Sequence, residues 1–547
     1  MELPLDKSVG SITDLITVSK IAENRWLGRV QNRLDPNKPL CYLECDAGVI
    51  QRVCDWLFTE LGYTFASLVV DETPSQWLLR YLFFNDREAL ETCSIGSGHI
   101  HVLMRLDKPQ STVPSISAHV YAADWHEREA NDLFGLEFEG HPRLGDFILH
   151  YDEWQKNVNP MRKDFDANKP YPHREPDPDW RPLRIVQAPG SFLMPIGPIY
   201  SGAAESTHFL LETVGEDVIR VIPRPFYKYR GIEKIAEGRA VEYVLLLAER
   251  FSGTSAFAHS LAFCQAVEDI SEITVPVRAR VLRILLAELE RLRNHVGTIR
   301  EICDSTGLMV ATSQAAILEE ELLRLSCDFT GHRYLFGLNL PGGLSRDFND
   351  EACRTLSQST NALLERLHEL EEMLRFSSSF LDRLEEVGII SYNNALRYCL
   401  VGPIARASGI ARDVRKSQPY SGYESLKFSV PCEQEGDGYA RLRILFAESK
   451  QAVSIIEQVL EALPSGSAIP HTFKITPGTA LGLVESSRGA AFHWLCIGED
   501  GLVARYRLTT PSFTNWHGFR LAAESFAFQD FPIIMASLGL SVAECDR

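Results

Sequence analysis

The segment VPVRARVLRILLAELERLRNHVGTIREI, residues 275–302, constrains the fold more than any other stretch. Val281, Ile284, Leu285, Leu289, Leu292, Val296 and Ile299 recur every three or four residues, which places them on one face of a long helix. Such a helix needs partners to bury its stripe, so a bundle follows. Further long helices are predicted at 310–333, 350–387 and 439–462. Two Gly-containing turns, LNLPGGLSRD near 340 and GPIARASGIARD near 405, are predicted to interrupt the bundle. From 468 on, the pattern returns to short strands and loops.

The first 150 or so residues read differently. The runs CYLECDAGVI, HIHVLMRL and SAHVYAA have β-strand character, and a helical piece lies near 51–61. From 159 to 182 prolines stand at 160, 170, 172, 176, 178 and 182, which predicts an extended linker because proline fixes φ and removes a donor. A second β-rich passage, HFLLETVGEDVIRVIPR, precedes the helices. A chain of 547 residues is too long for one core. The expected class is α+β: an N-terminal α/β domain over 1–165, a proline-rich linker over 166–190, and a mainly helical domain over 191–547.

The net charge of −18 argues against a nucleic-acid partner and against anchoring on an anionic membrane surface. The 12 cysteines include no Cys-x-x-Cys pair and are closest at Cys41 and Cys45, which suits a reducing cytoplasm. No apolar run reaches the roughly 18 residues a membrane span needs, and MELPLDKSVG lacks a signal-peptide pattern.

Within ERFSGTSAFAHS, residues 249–260, Ser252 and Ser255 sit three apart beside Arg250, with His259 one turn further on. Several other stretches fix the context. AADWHEREANDLFGLEFEGHPRLGDFIL and NPMRKDF resemble the signature of the 30-kDa-type subunit of respiratory complex I. YRGIEK, ERFSGTSAFAHS, VPVRARVLRILLAELERLRNH, GLNLPGGLSRD, RASGIARDVRKSQPY and ESSRGAAFHW resemble the 49-kDa-type subunit of complex I and the large subunits of group 4 nickel–iron hydrogenases. The fusion of both modules is similar to large subunits of the formate-hydrogenlyase and hydrogenase-4 type.

The resemblance implies where metal chemistry would sit. The hydrogenases carry Arg-x-Cys-Gly-x-Cys at the ERFSGTS position and a second Cys-x-x-Cys near the C-terminus, and these four thiolates hold nickel and iron. Here the four positions carry Ser252, Ser255, Ser541 and Glu544. None offers a thiolate, so no metal and no hydrogenase activity are expected. The ending Glu544-Cys545-Asp546-Arg547 resembles that of the complex I subunit, and the resemblance implies that no hydrogenase-type extension is to be expected. The quinone-binding His and Tyr of complex I correspond to Tyr200, in GPIY, and Gly253, which weakens the case for ordinary quinone binding.

Arg488 in SSRGA matches the arginine that lies over the iron ligands in hydrogenases. Without a metal its charge needs a carboxylate, and Glu544 and Glu233 are the candidates. Two readings stay open: a hydrated cavity lined by Tyr200, Arg250, Ser252, Ser255, His259 and Arg488 that takes a ligand or protons, or a pair that fills the vacated site. His259 is equally readable as a core histidine, Arg230 and Glu233 as a structural turn, and DWHEREANDLF as packing around Trp125 and Phe134. The resemblance further implies a peripheral subunit, on the cytoplasmic side of the inner membrane, of an NADH-quinone-oxidoreductase-like membrane complex. The expected partners are a small iron–sulfur subunit, which holds the cluster, and antiporter-like membrane subunits. The chain itself would bind no cofactor, and quinone or NAD binding is implied by the family alone. The alternative is a structural or conformational coupling subunit without a substrate.

Overall fold

The computed structural model describes residues 12–26, 28–34, 40–85, 98–150, 154–155, 157–171, 175, 178–179, 189–200 and 205–547. The chain divides into two compact units, Met1–Pro182 with Arg397–Cys399, and Leu183–Leu396 with Leu400–Arg547. Much of the expected linker, including 180–188, lies outside the described residues.

The first unit holds α1 (Ile12–Arg25), β1 (Val30–Leu34), β2 (Leu40–Cys45), α2 (Ile50–Asp55), β3 (Thr64–Glu72), β4 (Gln76–Phe84) and β5 (His99–Asp107). The sheet order is β1-β2-β5-β4-β3, antiparallel except for the parallel pair β2–β5. Two three-residue strands, β6 (Thr112–Pro114) and β7 (Glu137–Glu139), pair with each other on either side of α3 (Ala123–Phe134) in the chain. Helix α3 carries the DWHEREANDLF run, with Trp125 and Phe134 buried. Its buried carboxylates act as backbone clamps. Glu127 accepts from Ser115 Oγ at 2.5 Å and Ile116 N at 2.8 Å, and one oxygen of Asp132 accepts from Phe147, Ile148 and Leu149 N at 3.0, 2.8 and 3.1 Å. The run is structural. SAHVYAA is not a strand: the N–H groups of His119 and Val120 turn back to the Ile116 carbonyl and lead into α3.

The second unit opens with the strands β8 (Ser191–Ile196), β9 (His208–Val214) and β10 (Asp217–Arg224), which a late strand along β10 extends to a four-stranded antiparallel sheet. Then come α4 (Ile232–Ala236), α5 (Val241–Arg250), α6 (Ala256–Ile270), α7 (Val277–Ser305), α8 (Met309–Thr330) and α9 (Asp350–Arg375). The predicted helix 350–387 stops at Arg375, where the serine-rich FSSS offers side chains that compete with helical hydrogen bonds. GPIARASG forms a short helix, α10 (Gly402–Ala407), rather than a turn, followed by α11 (Val414–Ser417) and α12 (Gly438–Glu461).

The tail is more ordered than short strands and loops. It forms the antiparallel sheet β11 (Gly478–Ser486), β12 (Gly489–Ile497) and β13 (Val503–Thr509), then α13 (Pro511–Ala522), β14 (Glu524–Ala527), α14 (Phe531–Leu538) and α15 (Val542–Cys545). Strand β14 is the late partner of β10.

Helix α7 runs through the centre of this unit. Its apolar stripe packs with Leu318 and Leu322 of α8, Leu363 and Leu367 of α9, and Leu445 of α12. From Leu282 to Gly297 every residue is buried, including Glu288, Glu290, Arg291, Arg293 and His295. One side meets hydrocarbon; the others meet partners of opposite charge.

Helix α6 lies against β11, and Gly482 permits the contact: a Cβ there would meet the Ala262 carbonyl oxygen at 1.7 Å, whereas one at Gly253 meets open space. Gly482→Ala is therefore expected to destabilise the protein by about 2 kcal/mol or more through overpacking, and Gly253→Ala by less than about 0.5 kcal/mol. Urea unfolding of the two variants checks this.

Candidate functional site

Helix α7 sets the serine loop. Glu290 accepts from Phe257 N at 2.8 Å and Ala258 N at 3.0 Å, which satisfies the start of α6. Burial pushes the Glu290 carboxyl up to about 7 against the pull of Arg293 and these amides. Arg293 and Asn294 both donate to the Thr254 carbonyl at 2.5 Å. One turn of α7 thus holds both the loop Ser252–Ser255 and the helix that follows it.

The C-terminal segment is tied down as firmly. Arg230 donates to the carbonyls of Asp546 at 2.9 Å, Phe251 at 2.7 Å and Ala543. The Asp546 carboxylate accepts from Phe226 N and Lys228 N, both at 2.8 Å. Ser541 caps α15 by accepting from Glu544 N at 3.3 Å. The two-residue turn Ser487–Arg488 of the β11–β12 hairpin supplies the arginine. Gly402, at φ +67°, lets α10 approach that turn, since a Cβ would meet the Arg488 carbonyl at 2.1 Å.

These pieces converge on the Glu544 carboxylate, which is fully buried. Ser255 Oγ donates to its Oε1 at 3.1 Å, Ser252 Oγ lies at 3.4 Å and Ser512 Oγ donates to Oε2 at 2.5 Å. Arg488 Nη1 lies 3.5 Å from Oε1, and also donates to Thr254 Oγ1 at 2.8 Å and Ser255 Oγ at 3.3 Å. Its Nε donates to the Gly539 carbonyl at 2.7 Å. Burial alone would raise the Glu544 carboxyl; Arg488, with His259 and Ser512, overcomes it and brings the group down to about 2. Glu544 is a carboxylate with its charge met.

His259 is in the core and at the cluster. Its Nε2 lies 3.9 Å from Glu544 Oε1, and its Nδ1 meets His493 Nε2 at 3.0 Å. His493 Nδ1 in turn meets Tyr506 Oη at 2.7 Å. Burial, then the neighbouring His259, pushes His493 well below the ordinary histidine range.

Three expected residues stand elsewhere. Glu233 does not pair with Arg488: its Oε1 lies 3.3 Å from both Arg507 Nη1 and Arg547 Nε and accepts from Leu508 N at 2.9 Å. Arg250 is turned outward, 57% exposed in its side chain, against Glu249 and the Phe336 ring. Tyr200 donates to the Thr207 carbonyl at 2.6 Å within its own loop. Conversely, Thr254, Ser512, His493 and Tyr506 join the site without a signal from sequence reasoning. His493 sits inside the ESSRGAAFHW motif, but its strand is buried on both faces and shows no alternation that would single it out.

The donor set does not fit a nickel–iron centre. Three hydroxyls and one carboxylate already committed to Arg488 offer hard oxygen, where nickel and iron in that arrangement need soft thiolate. Cys545 is buried, and burial pushes its thiol well above the ordinary range. Among the described residues no group of three His, Cys, Asp or Glu side chains is arranged to hold a metal ion. Beside Arg488 lies a cavity of about 20 Å³, room for one water, lined by His295, Thr298, Arg441, Ser487 and Asn515 rather than by Tyr200, Ser252 or His259. Among the described residues no helix is long and apolar enough to cross a membrane.

Fold and site together define a hydrogenase-type large-subunit scaffold in which the Arg488–Glu544 ion pair joins the serine loop to the C-terminal segment, preceded in the chain by a separate α/β unit. Family comparison agrees. Residues 43–171 match the respiratory-chain NADH dehydrogenase 30 Kd subunit, 305–476 and 467–547 the 49 Kd subunit of that enzyme, and 230–298 the nickel-dependent hydrogenases. Formate hydrogenlyase subunit 5 of Escherichia coli K12 is 32% identical over 453 residues, covering 82% of this chain and 79% of that protein. Hydrogenase-4 component G of the same organism is 29% identical over 444 residues, covering 81% and 77%. The fused C/D polypeptide of the NADH-quinone oxidoreductase of Acinetobacter baylyi is 28% identical over 492 residues, covering 82% of each. The chain belongs to this family of fused large subunits shared by complex I and group 4 hydrogenases.

The ion pair makes a pH-dependent prediction. The Glu544 carboxyl is lowered in the folded state, so its contribution is present above the ordinary value of 4.5 and is lost as pH falls towards about 2. The gap corresponds to on the order of 3 kcal/mol. Glu544→Gln should lower stability at pH 7 by about that amount and flatten the acid limb between pH 4.5 and 2, read as urea midpoints across pH.

Proposed function

We propose that the chain is the large subunit of a membrane-attached, respiratory-type oxidoreductase complex that works without a nickel–iron centre. In this reading it takes part in electron transfer coupled to ion translocation. It sits peripherally on the cytoplasmic side of the inner membrane, against a small subunit whose iron–sulfur cluster delivers electrons and beside antiporter-like membrane subunits. The observation that carries the reading is the convergence of Ser252, Ser255 and Arg488 on Glu544, within 3.5 Å, at the position where relatives named as hydrogenases would hold metal. The scaffold is kept and its old chemistry replaced by a charge pair.

A second reading is favoured by the packing. The cavity beside Arg488 admits one water and is not lined by Tyr200, Ser252 or His259, which supports a conformational coupling subunit with no small acceptor at this position. A quinone-like acceptor would then bind elsewhere in the complex.

Purifying the intact complex and assaying it with quinones separates the two. Arg488→Leu combined with Glu544→Gln removes the pair without leaving a lone buried charge, so assembly with the small subunit is expected to persist. The first reading expects loss of coupled electron transfer in that variant; full activity would favour the second. Elemental analysis is expected to find no stoichiometric nickel in the chain, and one nickel per chain would overturn both.

A further inference from the structure

Behind the site, five elements bring a second set of charges together in the core. Helix α7 contributes Glu288, Arg291 and His295, α10 contributes Arg406, the α11 segment contributes Asp413 and Arg415, α12 contributes Glu448, and β11 contributes Glu485; all are buried. Their contacts form one network. Arg415 lies 2.9 Å from Glu288 and 2.6 Å from Asp413. Arg406 lies 2.6 Å from Glu448, 2.9 Å from Glu485 and 3.6 Å from Asp413. Arg291 lies 3.1 Å from Glu288 and 3.7 Å from Glu448, and His295 meets Glu448 at 2.9 Å. Two tyrosines complete the shell: Tyr423 donates to Glu288 at 2.6 Å, and Tyr420 Oη accepts from Glu485 N at 3.2 Å. Across the neighbouring cavity, His295 faces Arg488, met by Glu544, and Arg441, whose attraction is to Asp437.

The charges do not cancel. Four carboxyl groups face three guanidinium groups, and arginine does not deprotonate. With every acid ionised and His295 neutral, the network would bury one net negative charge, which is costly in an interior closed to water. One proton restores neutrality.

We propose that this buried network binds a single exchangeable proton, carried by Glu485. Geometry selects that residue. Glu288 and Asp413 share Arg415, and Glu448 has Arg406, Arg291 and His295 around it. Glu485 has one guanidinium at 2.9 Å, which it shares, and the Val414 amide at 3.2 Å. Burial, and then the neighbouring Asp413, push its carboxyl up to about 7, whereas Asp413 is lowered by Arg415 against its burial. Burial lowers His295 despite Glu448, which keeps the imidazole from taking the proton instead. The proton belongs to the network and titrates with it. The site stands independently of the redox reading above and is testable on the full-length chain alone.

The test is pH-difference infrared spectroscopy of the full-length protein and of two variants. Wild type should lose protonated-carboxyl carbonyl absorbance near pH 7, the value to which Glu485, Glu290 and Glu127 are all raised. Glu485→Gln, which keeps the neutral shape, should fold like wild type and lack the share of that absorbance that Glu485 contributes, while the shares of Glu290 and Glu127 remain. Asp413→Asn removes the like charge beside Glu485, so the Glu485 share should remain and its midpoint should move to lower pH. Identical difference spectra for wild type and Glu485→Gln would overturn the proposal. So would failure of Glu485→Gln to fold, or an unmoved midpoint in Asp413→Asn.

Discussion

Charge compensation around the central helix is the constraint on which the rest of the second unit depends. Helix α7 buries acids and bases on every side that its apolar stripe does not occupy. A buried charge without a partner costs several kcal/mol, so each one fixes the element that meets it. Glu290 holds the N-terminus of α6, Glu288 holds Arg415, His295 holds Glu448 of α12, and Arg291 reaches the carbonyls of Glu485 and Ser486 at 2.7 and 3.0 Å. Arg283, nearer the start of the same helix, binds Glu268 of α6 at 2.7 Å and the carbonyls of Leu340 and Gly343. Apolar packing would let these elements slide; the paired charges give them one register.

That register also fixes the serine loop against the C-terminal segment. The serine loop is held at Thr254, Phe257 and Ala258 by α7, and the terminal segment by Arg230, and none of these bonds depends on what occupies the space between. Cysteine to serine changes size little, but it exchanges a soft ionisable sulfur for a hydroxyl that donates. Two such hydroxyls, Ser252 and Ser255, with Ser512 from α13 and one guanidinium, surround the Glu544 carboxylate. The site is closed by its own hydrogen bonds.

The sequence disclosed this unevenly. The helix at 277–305 follows from the spacing of seven apolar residues, and the family follows from motifs spread along the chain. That Arg488 pairs with some carboxylate follows from charge alone, since a buried guanidinium needs one. Whether Glu233 or Glu544 supplies it is not legible, because Arg507 and Arg547, which claim Glu233, lie 274 and 314 residues away in sequence. Arg250 misleads for a related reason, since the residue type fits the motif and only the direction of the helix end turns it outward. The polar residues of α7 look like a solvated face, and only the surrounding helices and sheet reveal them as buried.

The two buried charge clusters differ in kind, and one short hairpin joins them. Glu485 stands next to the last residue of β11, and Arg488 lies in the turn Ser487–Arg488 that follows. On one side the charges balance, Arg488 against Glu544; on the other, four acids against three arginines leave one unit over. The turn cannot shift freely, because Gly402 packs against the Arg488 backbone and Asn515 donates to the carbonyls of Val401 and Arg488 at 3.1 and 3.4 Å. A change of charge at Glu485 would alter its hold on Arg406 and the Val414 amide, and the same hairpin carries Arg488. The two charge sites thus share one pinned hairpin, with the carboxyl on its strand and the guanidinium on its turn. The hairpin therefore ties the balanced pair and the unbalanced network to one piece of backbone.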